Sequence, residues 1–113
     1  MPKKIPPLLV EKYDIANKIL NLLADLESRH ILFGIIKSPK TAQELAVQLQ
    51  IPTSSVYKKI KDLSETGLVF EYKEFSENGR IIKYYQSKID DAQIIIKNFE
   101  PSISLNKNKL LKR

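Results

Sequence analysis

The sequence predicts a mainly α-helical domain that carries a small β-hairpin. Two amphipathic segments separated by a tight break lie between Thr41 and Val69. After Gly67 the spacing of apolar residues changes from about 3.6 to about 2, which marks a change from helix to strand. Asn78-Gly79 between the two strand-like runs is a strong signal for a hairpin turn. The 113 residues are enough for one domain with a single core.

Two further helices are predicted before the amphipathic pair. Apolar residues such as Ile15 and Ile19 recur at helical spacing and predict a first helix over residues 11–24. Its apolar arc is wider than one core-facing stripe requires, which indicates a second buried contact. A second helix is predicted over residues 25–37, and it ends before Pro39 because the residue preceding a proline resists helical geometry.

The amphipathic pair has the features of two short helices joined by a turn. Thr41 and Glu44 form a predicted capping box at the start of the first helix. Pro52 interrupts the pair, and Thr53 or Ser54 is expected to cap the second helix. The second helix is predicted to bury Val56, Ile60 and Leu63 and to expose Ser54, Ser55, Tyr57, Lys58, Lys59, Lys61 and Asp62. A helix with such a polar and basic face suits the major groove of DNA.

The chain is predicted to divide into three parts. Residues 1–10 contain Pro2, Pro6 and Pro7 and are predicted as an extended N-terminal arm. Residues 11–98 are predicted as the folded domain, within which residues 89–98 fit either a strand or a dimerising helix. Residues 99–113 are predicted as a basic tail, within which residues 102–113 are predicted to be disordered when unbound.

The order helix, helix, helix-turn-helix and hairpin is the layout of a winged helix-turn-helix domain. Several motifs lie in this order along residues 19–86: Leu20-x-x-Leu23-Ala24-Asp25, Arg29 before Ile31-Leu32, Thr41-Ala42-Gln43-Glu44-Leu45-Ala46, residues 55–63 and Gly67-Leu68-Val69. They resemble the opening helices, the reading motif, the recognition helix and the exit into the wing of the ArsR-type repressor superfamily. The resemblance implies a winged-helix transcriptional regulator that binds DNA as a homodimer.

The chain departs from that family in its potential metal ligands. Many ArsR-type repressors sense metals through cysteines or paired Asp and His ligands, but this chain has no cysteine and one histidine. A zinc site normally needs three or four Cys, His or carboxylate ligands, and Asp90-Asp91 has no histidine nearby. We therefore expect neither a metal nor another cofactor, and His30 is predicted at a partly buried or boundary position.

Charge and composition indicate which kind of partner the protein binds and which kinds of function are not expected. The net charge of +6 and the pI near 9.5 favour a polyanion. An enzyme is not expected, because the chain has no cysteine nucleophile and no glycine-rich phosphate loop. The N-terminus lacks the apolar core of a signal peptide, and no apolar run approaches the ~20 residues of a membrane span. We expect a cytoplasmic protein whose partner is double-stranded DNA, with no membrane contact.

The predicted DNA contacts lie on the recognition helix and on the hairpin, whose strands are predicted over residues 69–75 and 80–86. Small hydroxyls allow a close approach to phosphates, which lysines neutralise, although a merely solvated helix face is the alternative. Arg80 at the hairpin tip can enter the minor groove, or it can be a solubilising turn residue. The predicted set is Thr53, Ser54, Ser55, Tyr57, Lys58, Lys59, Lys61, Arg80 and Lys83.

A homodimer is expected because the first helix and the segment Ile94–Ile96 offer more apolar surface than one small core absorbs. The alternative function is a protein-interaction module, since winged helices also serve as docking domains in transcription machinery. A polar and basic outer face on the recognition helix favours DNA, whereas an apolar face favours a protein partner. The face here is polar and basic, so a sequence-specific DNA-binding regulator is the leading prediction.

Overall fold

The computed structural model describes the backbone of residues 7–111 and the side chains of residues 15–111. Its elements, in chain order, are α1 (Pro7–Ala24), α2 (Leu26–Gly34), α3 (Ala42–Leu49), α4 (Thr53–Glu65), β1 (Val69–Phe75), β2 (Ile81–Ser87), β3 (Ile89–Lys97) and β4 (Glu100–Lys107). Strands β1 and β2 form one antiparallel hairpin, here called the wing, and β3 and β4 form another, here called the second hairpin. The predicted class, mainly helical with a hairpin wing, is confirmed.

One core of apolar side chains joins the helices to the base of the wing. The predicted inward stripe of α4, formed by Val56, Ile60 and Leu63, is buried. Burial of each such side chain contributes about 1.5–3 kcal/mol to stability. The other buried members of this core are Ile19, Leu23, Ile31, Leu32, Ile35, Ala42, Leu45, Ala46, Leu68, Val69, Tyr85 and Ile89. The core therefore fixes which sides of α3 and α4 face solvent.

Local caps set the limits of the helix-turn-helix. The Thr41 Oγ1 accepts the Glu44 N–H at 3.1 Å, and the Glu44 carboxylate accepts the Thr41 N–H at 2.8 Å, which confirms the capping box. Gly67 has a φ of 81° and donates its N–H to the Ser64 carbonyl at 3.0 Å. This left-handed position after α4 suits glycine, as predicted.

The limits of the first two helices differ from the prediction. α1 begins at Pro7 rather than at residue 11, so residues 7–10 of the predicted arm are helical, and residues 1–6 lie outside the described part. A proline fits the first turn because its missing N–H would have no helical partner there. α2 ends at Gly34 rather than at residue 37. The Ile35 carbonyl accepts the Ser87 N–H at 3.0 Å instead of continuing the helix.

The wing closes through a tight glycine turn at the predicted position. Its register pairs Phe75 with Ile81 directly before and after the turn. The Ser76 carbonyl accepts the Gly79 N–H at 2.9 Å, and Gly79 has a φ of 78°. This conformation places Arg80 at the end of the wing, beside the Phe75–Ile81 pair.

The chain after the wing forms a second hairpin where a tail was predicted. For residues 89–98, where strand and helix were both open, the structure has the strand β3 over Ile89–Lys97, and Asn98 lies in the turn that follows. β4 spans Glu100–Lys107, so the prediction of disorder over residues 102–113 is wrong for residues 102–107, while residues 112–113 lie outside the described part. β4 pairs along β3 and contacts α1, and Ile103 packs against the core. These long-range contacts outweigh the lysine-rich composition on which the prediction of disorder was based.

Two amide side chains tie the second hairpin and the wing to the helices. The Asn108 Nδ2 donates to the carbonyls of Ile36 and Ser87, both at 2.8 Å, and the Asn108 Oδ1 accepts the Leu110 N–H at 2.9 Å. The Gln86 Nε2 donates to the carbonyls of Ile36 and Leu110 at 3.0 and 3.1 Å. Both amides are buried, with Asn108 only 5% exposed, so water cannot readily replace these bonds.

We predict that Asn108→Ala lowers the free energy of unfolding by about 1–3 kcal/mol, because it removes the side-chain donor to the buried Ser87 carbonyl. Equilibrium urea unfolding measures this change. Asn106→Ala is the matched control, since its amide donates to the Asp91 carboxylate at 2.6 Å on an exposed surface. The control should change stability by no more than about 0.5 kcal/mol. Equal losses in the two variants would show that the buried amide has no special role.

Candidate nucleic-acid interface

The first turn of α4 begins without a side-chain cap. Pro52 is the N-cap residue and has an extended ψ of 142°, so the prediction that Thr53 or Ser54 caps the helix is wrong. The proline ring offers no acceptor, and only its carbonyl joins the helix, accepting the Ser55 N–H at 3.0 Å. Thr53 and Ser54 therefore lie inside the first turn, where backbone N–H groups and the helix dipole favour an anion such as a phosphate.

Tyr57 connects the two helices of the helix-turn-helix on their solvent side. Its hydroxyl accepts a hydrogen bond from the Gln43 Nε2 at 3.1 Å, and both side chains are exposed. This bond holds the tyrosine ring between α3 and the wing. Sequence reasoning did not select Gln43 as a site residue. The available signal was an exposed polar side chain in the first turn of α3, between the two residues of the capping box.

An open groove of about 690 Å³ lies between the helix-turn-helix and the wing. Its helical wall consists of Gln43 and Tyr57, and its wing wall consists of Lys73, Arg80, Ile81, Ile82 and Lys83. The groove thus brings together three predicted site residues, Tyr57, Arg80 and Lys83. Every charged side chain among the groove-lining residues is cationic.

Two lysines of the wing face one another across its strands. Lys73 and Lys83 are direct partners in the antiparallel register, so their side chains emerge on the same face of the hairpin. Like charges at directly opposed positions are unfavourable. An anion between the two side chains would relieve that repulsion. The paired lysines are therefore a candidate position for a phosphate.

The exposed lysines of α4 lie in different surroundings. Lys61 lines a shallow depression beside the groove, together with Tyr57, and the carboxylates of Glu65 and Glu71 in the same depression moderate the local positive charge. Lys58 is exposed, as is Ser54, whereas Thr53 and Ser55 are half-buried. The remaining predicted residue on this helix, Lys59, lies elsewhere.

Lys59 is held against the start of α2, away from the groove. Its Nζ lies 2.6 Å from the Asp25 Oδ2 and 3.7 Å from the Glu27 Oε1. Asp25 also accepts the Ser28 N–H at 3.0 Å as the N-cap of α2. The structure therefore does not bring Lys59 together with the other predicted DNA contacts.

His30 is exposed, whereas a partly buried or boundary position was predicted. The neighbouring Ile31 and Leu32 take the buried side of α2, which leaves His30 on the opposite side. Within residues 15–111, no group of three or more His, Cys, Asp or Glu side chains could hold a metal ion.

The fold is similar to that in the crystal structure of NolR from Sinorhizobium fredii. The TM-score is 0.64 at 21% sequence identity, and the match covers 79% of this chain and 84% of that chain. At this identity the similarity establishes the winged-helix fold. No protein-family model and no curated protein sequence matches the chain. In the described part of the chain, no helix has the length and apolar character needed to span a membrane.

We predict that Lys59→Met raises the pKa of Asp25 from about 2 toward its ordinary 3.8, because the Lys59 hydrogen bond is the main cause of the low pKa and those of Ser28 add to it. A carboxylate whose pKa is lower in the folded state stabilises the fold above pH 3.8 and loses that effect as the pH falls toward 2. NMR titration of the side-chain carboxyl carbon measures the shift. Lys58→Met, the control on the same helix, should leave the pKa of Asp25 unchanged, and an equal rise in both variants would contradict the assigned partner.

Proposed function

We propose that this protein is a sequence-specific regulator of transcription that binds double-stranded DNA with α4 and the wing. The observation that carries the proposal is the groove with Tyr57 on one wall and Lys73, Arg80 and Lys83 on the other. NolR, whose fold is similar, is a winged-helix transcriptional regulator. The ArsR-like motifs of the sequence support placement in that broad group. A cytoplasmic location is part of the same proposal, because the proposed partner is DNA.

In the proposed complex α4 enters the major groove with its first turn near the phosphate backbone. Thr53, Ser54 and Ser55 allow this approach because their side chains are small and the helix start favours an anion. Tyr57 and Lys58 then face base edges, and both are exposed. The polar character of this face is the reason to prefer DNA over a protein partner.

The wing supplies the second half of the proposed contact. Lys73 and Lys83 would bind a phosphate between them, which would remove their mutual repulsion. Arg80 at the wing tip would enter the minor groove, where narrow A·T tracts concentrate negative potential. Lys59 is left out of the proposed contact, because its charge is already paired with the carboxylates of Asp25 and Glu27 at the start of α2.

We predict that Lys61→Ala and Lys59→Ala affect DNA binding differently, although both remove one positive charge from α4. Loss of one phosphate contact should reduce the slope of log K against log salt concentration by about 0.9 for Lys61→Ala. The slope should stay unchanged for Lys59→Ala. Fluorescence anisotropy with a random-sequence duplex at several salt concentrations measures both values. Equal slopes for Lys61→Ala and the unmodified protein would remove Lys61 from the interface, and no duplex binding would overturn the proposed function.

We also propose that two copies associate through α1 and the second hairpin. Ile15 on α1 is exposed, and so are Ile95, Ile96 and Phe99 at the far end of the second hairpin. α1 and β4 are in contact, so these apolar side chains lie on connected elements. A two-fold dimer would place two copies of α4 about 34 Å apart, the spacing of successive major grooves on one face of DNA.

We predict that Ile95→Asp converts a homodimer into monomers, because it would bury an unpaired carboxylate between two apolar surfaces. Light scattering at tens of micromolar protein gives the molar mass. Phe75→Asp is the matched control, since it places the same charge on an exposed apolar position of the wing and should leave the dimer intact. A monomeric unmodified protein at that concentration would overturn the dimer.

A further inference from the structure

The tip of the wing presents two large apolar side chains to solvent. Phe75 is 75% exposed and Ile81 is 56% exposed, and the two are direct cross-strand partners. Their side chains therefore emerge on one face of the hairpin, side by side. The same face carries Lys73 and Lys83, two positions closer to the base of the wing. Arg80 follows the turn immediately before Ile81.

The exposed Phe75–Ile81 pair is not part of the hydrophobic core. The core ends at the base of the wing, with Val69 and Tyr85, and the Phe75–Ile81 pair lies at the other end of the same strands. Ile81 instead lines the groove shared with Tyr57. The apolar pair is thus continuous with the proposed DNA surface and separate from the apolar surface of the second hairpin.

Charge around the pair points to the kind of surface it contacts. Arg80 and the paired lysines lie near the apolar side chains, and their three positive charges outnumber the two negative charges of Glu74 and Glu77 at the same end of the wing. The remaining positive charge complements a phosphate backbone. Proteins that enter the minor groove combine such cations with apolar side chains that insert between base pairs and bend the duplex. An isolated apolar pair without flanking cations would not fit this pattern.

We propose that Phe75 and Ile81 act as a wedge that inserts between adjacent base pairs in the minor groove and bends the DNA. This inference rests on the proposed DNA-binding function and adds a mechanical consequence to it. Lys73 and Lys83 hold a phosphate on the base side of the wedge, and Arg80 occupies the groove next to the opened step. Pyrimidine–purine steps, which unstack most easily, are the preferred position.

Force–extension measurements on long double-stranded DNA test the wedge without knowledge of a specific binding site. Bare DNA has a persistence length of about 50 nm, and saturation with the unmodified protein should reduce the apparent value about two-fold. The double variant Phe75→Thr/Ile81→Thr should leave it near the value of bare DNA. Threonine retains the strand preference of the positions and removes most of the apolar surface. Circular dichroism confirms that the variant is folded.

Three comparisons make the result specific to the wedge. The double threonine variant should bind random duplex within about tenfold of the unmodified affinity and with the same salt slope, because no charge is removed. Phe75→Leu/Ile81→Val keeps the pair apolar and should retain most of the bending. Leu26→Ala, which alters an α2 side chain that is also 56% exposed, should bend DNA fully.

The possible failures are distinguishable. Binding of duplex by the unmodified protein without a change in persistence length would overturn the wedge and leave the proposed function standing. Equal bending by the double threonine variant would show that Phe75 and Ile81 do not form the wedge. Absence of duplex binding by the unmodified protein would overturn both the proposed function and the wedge.

Discussion

Burial of Val56, Ile60 and Leu63 fixes the rotation of α4 about its own axis, and the candidate interface depends on that rotation. Side chains three and four positions apart share a face of a helix. With the stripe turned inward, Tyr57 points toward the wing and Lys59 toward the start of α2. A shift of one residue would rotate the helix by about 100° and expose the stripe to water, at a cost of several kcal/mol. The polarity of the outer face is thus set by the core.

The wing is placed by hydrogen bonds at its base rather than by packing along its length. Lys40 and Tyr85 exchange two backbone hydrogen bonds of 3.0 and 2.8 Å, which join the chain before α3 to β2. Gln86 and Asn108 add bonds to the Ile36 carbonyl after α2. These contacts hold the base of the wing while its tip stays open to solvent. The groove between α4 and the wing therefore has one wall fixed by apolar burial and one fixed by these hydrogen bonds together with the buried Val69 and Tyr85 at the base of the wing.

Local patterns in the sequence were enough to predict the positions of the helix-turn-helix and the wing. The capping box at Thr41 and the turn at Gly79 each depend on residues a few positions apart, so their chemistry is visible in the sequence. The pairing of Lys59 with Asp25 is not visible in this way, because it joins residues 34 positions apart. Strand β4 was not predicted for the same reason, because its contacts with β3 and α1, rather than its own composition, make it form a strand. Likewise, the contact of Gln43 with Tyr57 depends on the angle between two helices.

Amide chemical-shift mapping during titration with a random-sequence duplex tests most directly whether α4 and the wing form one DNA surface. The largest changes should fall on Ser54, Tyr57 and Lys61 in α4 and on Lys83 in the wing. Residues of the second hairpin should change little at the same DNA concentration. Changes concentrated on the second hairpin, or on the side of α4 that carries Lys59, would contradict the shared surface.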